Sequence, residues 1–120
     1  MQTPRHATVS VAIITLNEEA NLARTLASVA WADEIVIVDS GSTDATREIA
    51  QSHGARFVTE PWSGYATQKN VAISLCTSYW VLSLDADESV SPELAASIQK
   101  ALAAPSSQEE KIDGIRAFAS

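Results

Sequence analysis

The sequence predicts an α/β protein, a three-layer sandwich in which helices cover both faces of a mainly parallel sheet. Three observations carry that reading. Short runs dominated by Val, Ile and Leu recur along the chain, nearly continuous as in strands buried on both faces. Stretches with apolar residues at helical spacing alternate with them. Polar clusters stand where three of the runs leave the sheet: Thr15 to Glu18, Asp39 to Asp44, and Asp85 to Glu88. At 120 residues, with 46% apolar and 19% charged side chains, the chain reads as one domain, 1–120, with a core of its own and a loose terminus over 1–8.

Val9, Val11, Ile13 and Ile14 make the first strand. Leu22, Leu26 and Val29 then recur at helical spacing, predicting a helix from Glu18 to Ala30 with Asn17 as its cap and Glu18 and Glu19 at its positive end. Ile35 to Val38 is the second strand, and Asp39-Ser40-Gly41-Ser42-Thr43-Asp44 supplies a tight turn with cap oxygens for a helix over Thr43 to His53. Gly54 stops that helix, and His53 stabilises its end. Arg56 to Glu60 is a short third strand ended by Pro61. Ala66 to Cys76 is helical, and Tyr79 to Leu84 is the fourth strand. Ser91-Pro92-Glu93 opens a helix with a cap, a proline at the first position and an acid at the positive end, continued by Leu94, Ile98 and Leu102. Ala103 to Ser107 ends it, and Ile112 to Phe118 reads as a fifth strand.

The net charge of −7 argues against a nucleic-acid backbone or an anionic bilayer held by bulk electrostatics. A phosphate ester approaching such a chain needs a cation, since like charges at ~4 Å repel by about 4 kcal/mol at an intermediate dielectric. Asp85 and Asp87, one residue apart after an apolar run, point to one side in extended geometry and suit a hard divalent ion, Mg²⁺ or Mn²⁺. The stretch is no EF-hand loop, because Val90 stands where that loop requires glycine. Asp39, directly after four β-branched residues, reads as a ligand contact, whereas Ser42 and Asp44 read as caps or loop-shaping groups. Cys76 reads as a small buried hydrophobe, Trp31 and Trp80 as packing residues, and His6 as part of the terminus. Trp62, in a loop beside Tyr65, is a candidate cover for a sugar. Met1 to Thr8 lacks the apolar segment of a signal peptide, and Val9 to Leu16 is too short to cross a bilayer. The expected location is the cytoplasm, with the inner face of the plasma membrane as an alternative reached through regions outside this chain.

In open parallel sheets ligands bind beyond the carboxyl ends of strands where strand order reverses, so neighbouring first and fourth strands would unite the three polar clusters. Four motifs, Thr15-Leu16-Asn17-Glu18, Val38-Asp39-Ser40-Gly41-Ser42-Thr43-Asp44, Lys69-Asn70 and Asp85-Ala86-Asp87, together resemble the nucleotide-binding half of family 2 glycosyltransferases, which have the GT-A fold. The resemblance covers Val9 to Ile98. With Gly64-Tyr65-Ala66-Thr67-Gln68-Lys69-Asn70 and Glu88 added, it is similar to the bacterial branch that includes lipopolysaccharide core β-glucosyltransferases.

That resemblance implies a nucleotide-sugar donor and a glycan or glycolipid acceptor. It places Thr15, Leu16, Asn17 and Glu18 in the nucleoside pocket, with Asp39 closing it and Ser40 where many members carry a second aspartate that contacts the base. It brings Lys69 to the diphosphate, Asp85 and Ala86 to the donor, and Asp87 to the metal. The catalytic base is expected beyond residue 120, so the alternative is a module that holds nucleotide and metal without transfer. A dinucleotide oxidoreductase lacks its glycine-rich turn here, since Leu16-Asn17-Glu18-Glu19 follows the first strand.

Overall fold

The computed structural model describes residues 8–105 and 107–119. Along the chain run β1 (Val9–Thr15), α1 (Leu22–Ser28), β2 (Glu34–Asp39), α2 (Thr46–Ser52), β3 (Arg56–Thr59), α3 (Tyr65–Ser74), β4 (Trp80–Ser83), α4 (Pro92–Ala103), β5 (Glu109–Ile112) and β6 (Ile115–Ala119). The strands form one sheet in the order β3-β2-β1-β4-β6-β5. The first four are parallel, and β6 pairs antiparallel with both β4 and β5.

Alternation along the central strands assigns the two faces. Val9, Val11 and Ile13 share one core with Trp80, Leu82, α1 and α4, whereas Ala12, Val38 and Val81 pack against Ala72 of α3 on the other. Helices therefore lie on both sides of a mixed sheet, the expected sandwich. The β1 and β4 neighbours are paired through Val9–Trp80 and Val11–Leu82, so the reversal of strand order falls between them.

Local signals in the sequence account for several helix ends. Ser91 Oγ accepts from the Leu94 amide at 3.0 Å, with Pro92 in the first turn of α4. At the end of α2, the Ala55 amide donates to the Ala50 carbonyl and that of Gly54 to Gln51, with Gly54 at φ +74°, a Schellman closure. His53 is the C-cap residue there, its Nδ1 3.0 Å from the Ile49 carbonyl.

Two expectations are corrected. Asn17 does not cap α1, which starts at Leu22 after Asn21. Asn17 instead takes φ +53°, a left-handed conformation that Asn tolerates, and turns its side chain toward the loop after β2. The segment Ile112 to Phe118 is not one strand but the centre of a hairpin, because Asp113 (φ +49°) and Gly114 (φ +84°) form the left-handed pair that closes two-residue hairpin turns. Thr8, assigned to the loose terminus, accepts from the Tyr79 and Trp80 amides through its hydroxyl and carbonyl oxygens. Residues 1–7, His6 among them, Ser106 and Ser120 lie outside the described residues.

Candidate functional site

Where β1 and β2 end, their loops are laced together. The Asn17 amide donates to Ser42 Oγ at 2.7 Å, and the Thr43 amide donates to Asn17 Oδ1 at 2.8 Å. The Glu18 amide donates to Thr46 Oγ1 and that of Glu19 to Asp44 Oδ2, while Glu19 Oε1 accepts from Ala45. Hydrogen bonds from the Thr46 hydroxyl and amide hold the Asp44 carboxyl below the usual carboxylate range. Amides that a helix continuing from β1 would leave open are thus satisfied by the neighbouring loop, which is why α1 begins late.

Asp39 is the hub of this lacing. Only 2% of the residue is exposed, and both carboxylate oxygens are engaged. Oδ1 accepts from Thr15 Oγ1 at 2.6 Å and from the Ser42 hydroxyl, and Oδ2 from the Gly41 and Ser42 amides at 2.9 and 2.7 Å. Burial pushes this carboxyl up, but the hydrogen bonds, led by the Ser42 and Thr15 hydroxyls, outweigh it and leave it below the usual value. Its strong structural use was not legible from the strand pattern, which suggested a group free for a ligand.

A cleft of about 400 Å³ opens beside this hub, lined by Thr15, Leu16, Glu18 and Ser40 from the β1 and β2 ends and by Trp62, Tyr65 and Gln68 from the far wall. The side chains of Asn17 and Asp39 support its loops. Sequence reasoning placed Gln68 in a motif but gave it no role, because its burial is set by packing against Ser63 and Glu60 and leaves no local signal in the sequence. A second groove, about 430 Å³, continues along α3 past Lys69 and Asn70 to Ser83, Arg116 and Phe118. Tyr65 borders both, so the two are adjacent. Arg116 was not foreseen, since only the hairpin brings it opposite Ser83.

The acidic stretch follows β4. Asp85 and Asp87 are exposed, and Ala86 between them is buried with its carbonyl accepting from Thr25 Oγ1 at 2.8 Å. The strand stops at Ser83, so the alternation expected to align the two carboxylates does not extend to them; Asp85 to Glu88 form a turn closed by the Glu88 amide donating to the Asp85 carbonyl. Lys69 Nζ lies 3.4 Å from Asp85 Oδ1, an exposed pair worth under about 1 kcal/mol and readily rearranged. Glu88 Oε1 accepts from the Asp85 amide at 2.8 Å, closing the turn.

Among the described residues no three His, Cys, Asp or Glu side chains gather around a common point. Exposed carboxylates of Asp85 and Asp87 nonetheless fit Mg²⁺ or Mn²⁺, which take one or two carboxylates and complete their shell with water and phosphate oxygens. Burial and nearby Glu34 push the Cys76 thiol up to about 11, and its Sγ donates to the Ala72 carbonyl at 3.3 Å, in keeping with a packing role.

Residues 10–108 match glycosyl transferase family 2. The chain belongs to that family. A glycosyltransferase of Rickettsia typhi is 48% identical over 92 residues, 76% of this chain and 32% of the relative. The lipopolysaccharide core biosynthesis glycosyltransferase LpsC of Rhizobium meliloti is 45% identical over 101 residues, 80% of this chain and 37% of that protein. Glucosyl-3-phosphoglycerate synthase from Mycobacterium tuberculosis, in its complex with Mn²⁺, UDP and glucosyl-3-phosphoglycerate, superposes with a TM-score of 0.73 at 27% identity, covering 88% of this chain and 43% of that one. This family 2 chain therefore has the GT-A arrangement and spans about a third of the length of the curated relatives it matches. No helix among the described residues is long and apolar enough to cross a membrane.

Proposed function

We propose that this chain is the donor-binding part of an inverting glycosyltransferase that moves a sugar from a nucleoside diphosphate to a hydroxyl of a glycan or glycolipid in cell-envelope or lipopolysaccharide synthesis. One observation carries the proposal: the cleft at the β1 and β2 ends, with Glu18 as its single charged lining residue, shares Tyr65 with the groove lined by Lys69, and Lys69 pairs with Asp85 at the start of the exposed acidic stretch after β4. That is the polarity a nucleoside followed by a diphosphate needs.

In this reading Thr15, Leu16, Glu18 and Ser40 surround the nucleoside. Asn17 and Asp39 act through the loops they hold. Lys69 leaves Asp85 to approach the diphosphate, Asp85 meets the ribose or a metal-bound water, and Asp87 ligates the divalent ion, with Ala86 anchoring the turn between them. The ion, when bound, neutralises charge on the departing diphosphate. The base that deprotonates the acceptor is assigned outside residues 1–120, and the cytoplasm, where nucleotide sugars would be met, is the proposed location.

A second reading, a module that binds nucleotide and metal without transfer, is favoured by one feature: Glu88, the spare carboxylate nearest the acidic pair, is occupied by the Asp85 amide. Calorimetry with UDP, the nucleotide bound by the mycobacterial neighbour, tests the shared part of both readings. Binding that requires Mn²⁺ supports it, and equal heats with and without Mn²⁺ count against it. Release of UDP from UDP-glucose above background then separates the enzyme from the module.

A further inference from the structure

The loop and helix that form the far wall of the first cleft carry an unusual pair. Trp62 is 52% exposed and Tyr65 72%, with ring centroids 4.9 Å apart and planes at 89°. A single exposed apolar side chain needs no explanation, but several lining one cleft form the kind of patch that marks a binding groove. The edge-to-face arrangement fixes the two rings against each other and leaves flat apolar surface toward the cleft. Across the cleft stands Leu16, itself 53% exposed.

Gln68, one helical turn beyond Tyr65, lies on the same wall and is 1% exposed. Its Oε1 accepts from Ser63 Oγ at 3.2 Å and its Nε2 donates to the Glu60 carbonyl at 3.4 Å, both at the long end of the range. A side-chain amide has two N–H donors and two oxygen lone pairs, so one donor and one acceptor remain after these bonds. The existing bonds also set which end of the amide is oxygen.

We propose that Trp62 and Tyr65 stack on the nucleobase of the donor and that Gln68 reads the base's edge with its remaining donor and acceptor. The inference rests on the donor-binding reading above and adds to it the device for base selection. Position decides between base and sugar. The charged groups that handle a diphosphate, Lys69, Asp85 and Asp87, stand at the β4 side, and the sugar must lie beyond them. The first cleft has Glu18 as its single charged lining group; Trp62 lines that cleft and not the Lys69 groove, and Tyr65 stands between the two. A flat ring with adjacent donor and acceptor atoms fits that wall, and aromatic stacking suits any base. Selectivity then falls to Gln68.

Titrations of wild type, Tyr65→Ala, Trp62→Phe and Gln68→Glu test this, using UDP, CDP, ADP, uridine, UDP-glucose and inorganic pyrophosphate with Mn²⁺. Tyr65→Ala is expected to weaken UDP and uridine tenfold or more and to leave pyrophosphate within twofold. Gln68→Glu is expected to change the UDP-to-CDP affinity ratio at least fivefold, whereas Tyr65→Ala lowers all three nucleotides alike. Tryptophan emission should respond to uridine in wild type and not in Trp62→Phe, since Trp80 is buried and neither it nor Trp31 lines the cleft. If UDP binds and these variants leave it unchanged, the clamp is refuted and the donor reading survives. Loss of UDP-glucose affinity with UDP unaffected would assign the rings to the sugar and also refute it. Wild type that binds no nucleoside diphosphate removes both.

Discussion

Replacing Asp39 by Asn keeps the side chain's size and shape, removes its charge, and turns one of its two acceptor oxygens into a donor. Four donors converge on the native carboxylate: the Thr15 and Ser42 hydroxyls and the Gly41 and Ser42 amides. An Asn oxygen can retain two of them, and its NH₂ must face the other two. A hydrogen bond to a charged group contributes about 1.5–3 kcal/mol, so two lost bonds amount to about 3 kcal/mol at the lower bound, which applies because the loop can relax toward solvent. At roughly 4 °C per kcal/mol for a domain of this size, the midpoint should fall by about 12 °C. Thermal unfolding followed by circular dichroism checks this. A fall of under about 4 °C would refute the hub role and return Asp39 to the status of a carboxylate available to a ligand. Nucleoside affinity should fall with the loop's order, with or without metal.

Asp87→Ala should change stability by no more than about 0.5 kcal/mol, because the residue is exposed, yet remove the Mn²⁺-dependent part of UDP affinity in calorimetry. Gly114→Ala should cost about 1 kcal/mol through its left-handed φ alone, since an added Cβ meets nothing within 4 Å; urea denaturation measures it. Asp39, Asp44 and Glu34 are all held below their ordinary values in the folded chain. The folded state thus binds fewer protons than the unfolded one in acid, so their stabilisation is complete above the unfolded carboxylate range of about 4 and is lost as pH falls through the lowered values. Denaturation midpoints should accordingly be flat from pH 7 to 5 and drop below pH 4. Cys76 should react with a disulfide reagent at pH 7 on the order of 100-fold more slowly than an exposed cysteine, given a thiol pushed up to about 11.

Much of the fold was legible because period and burial agree locally. Val9 to Ile14, Ile35 to Val38 and Trp80 to Leu84 are apolar on both faces, and helices do cover both faces there. Ser91-Pro92-Glu93 and His53-Gly54 marked helix ends that the backbone confirms. The β5 strand was not legible because Glu109-Glu110-Lys111 is polar and only its Ile112 joins the apolar segment that becomes β6, although Asp113-Gly114 carried the turn between them in plain sequence. The site was legible as three clusters at strand ends. Which side chains stay free was not, because that depends on contacts between loops: Asn17 and Asp39 look like exposed polar groups in the sequence and are consumed by Thr43, Thr15, Gly41 and Ser42. Leu16, expected in the pocket, and Trp62 with Tyr65, expected in a loop, do stand open at the cleft.

Paramagnetic broadening by Mn²⁺ bears most directly on the donor-site assignment. With UDP present, substoichiometric Mn²⁺ should broaden the amide resonances of Ser83 to Glu88 and the side chain of Lys69, and without UDP the same addition should affect them weakly. Broadening centred on Glu18, Glu19, Asp44 and Glu48, or an equal effect with and without nucleotide, would contradict a metal held between Asp87 and a donor diphosphate.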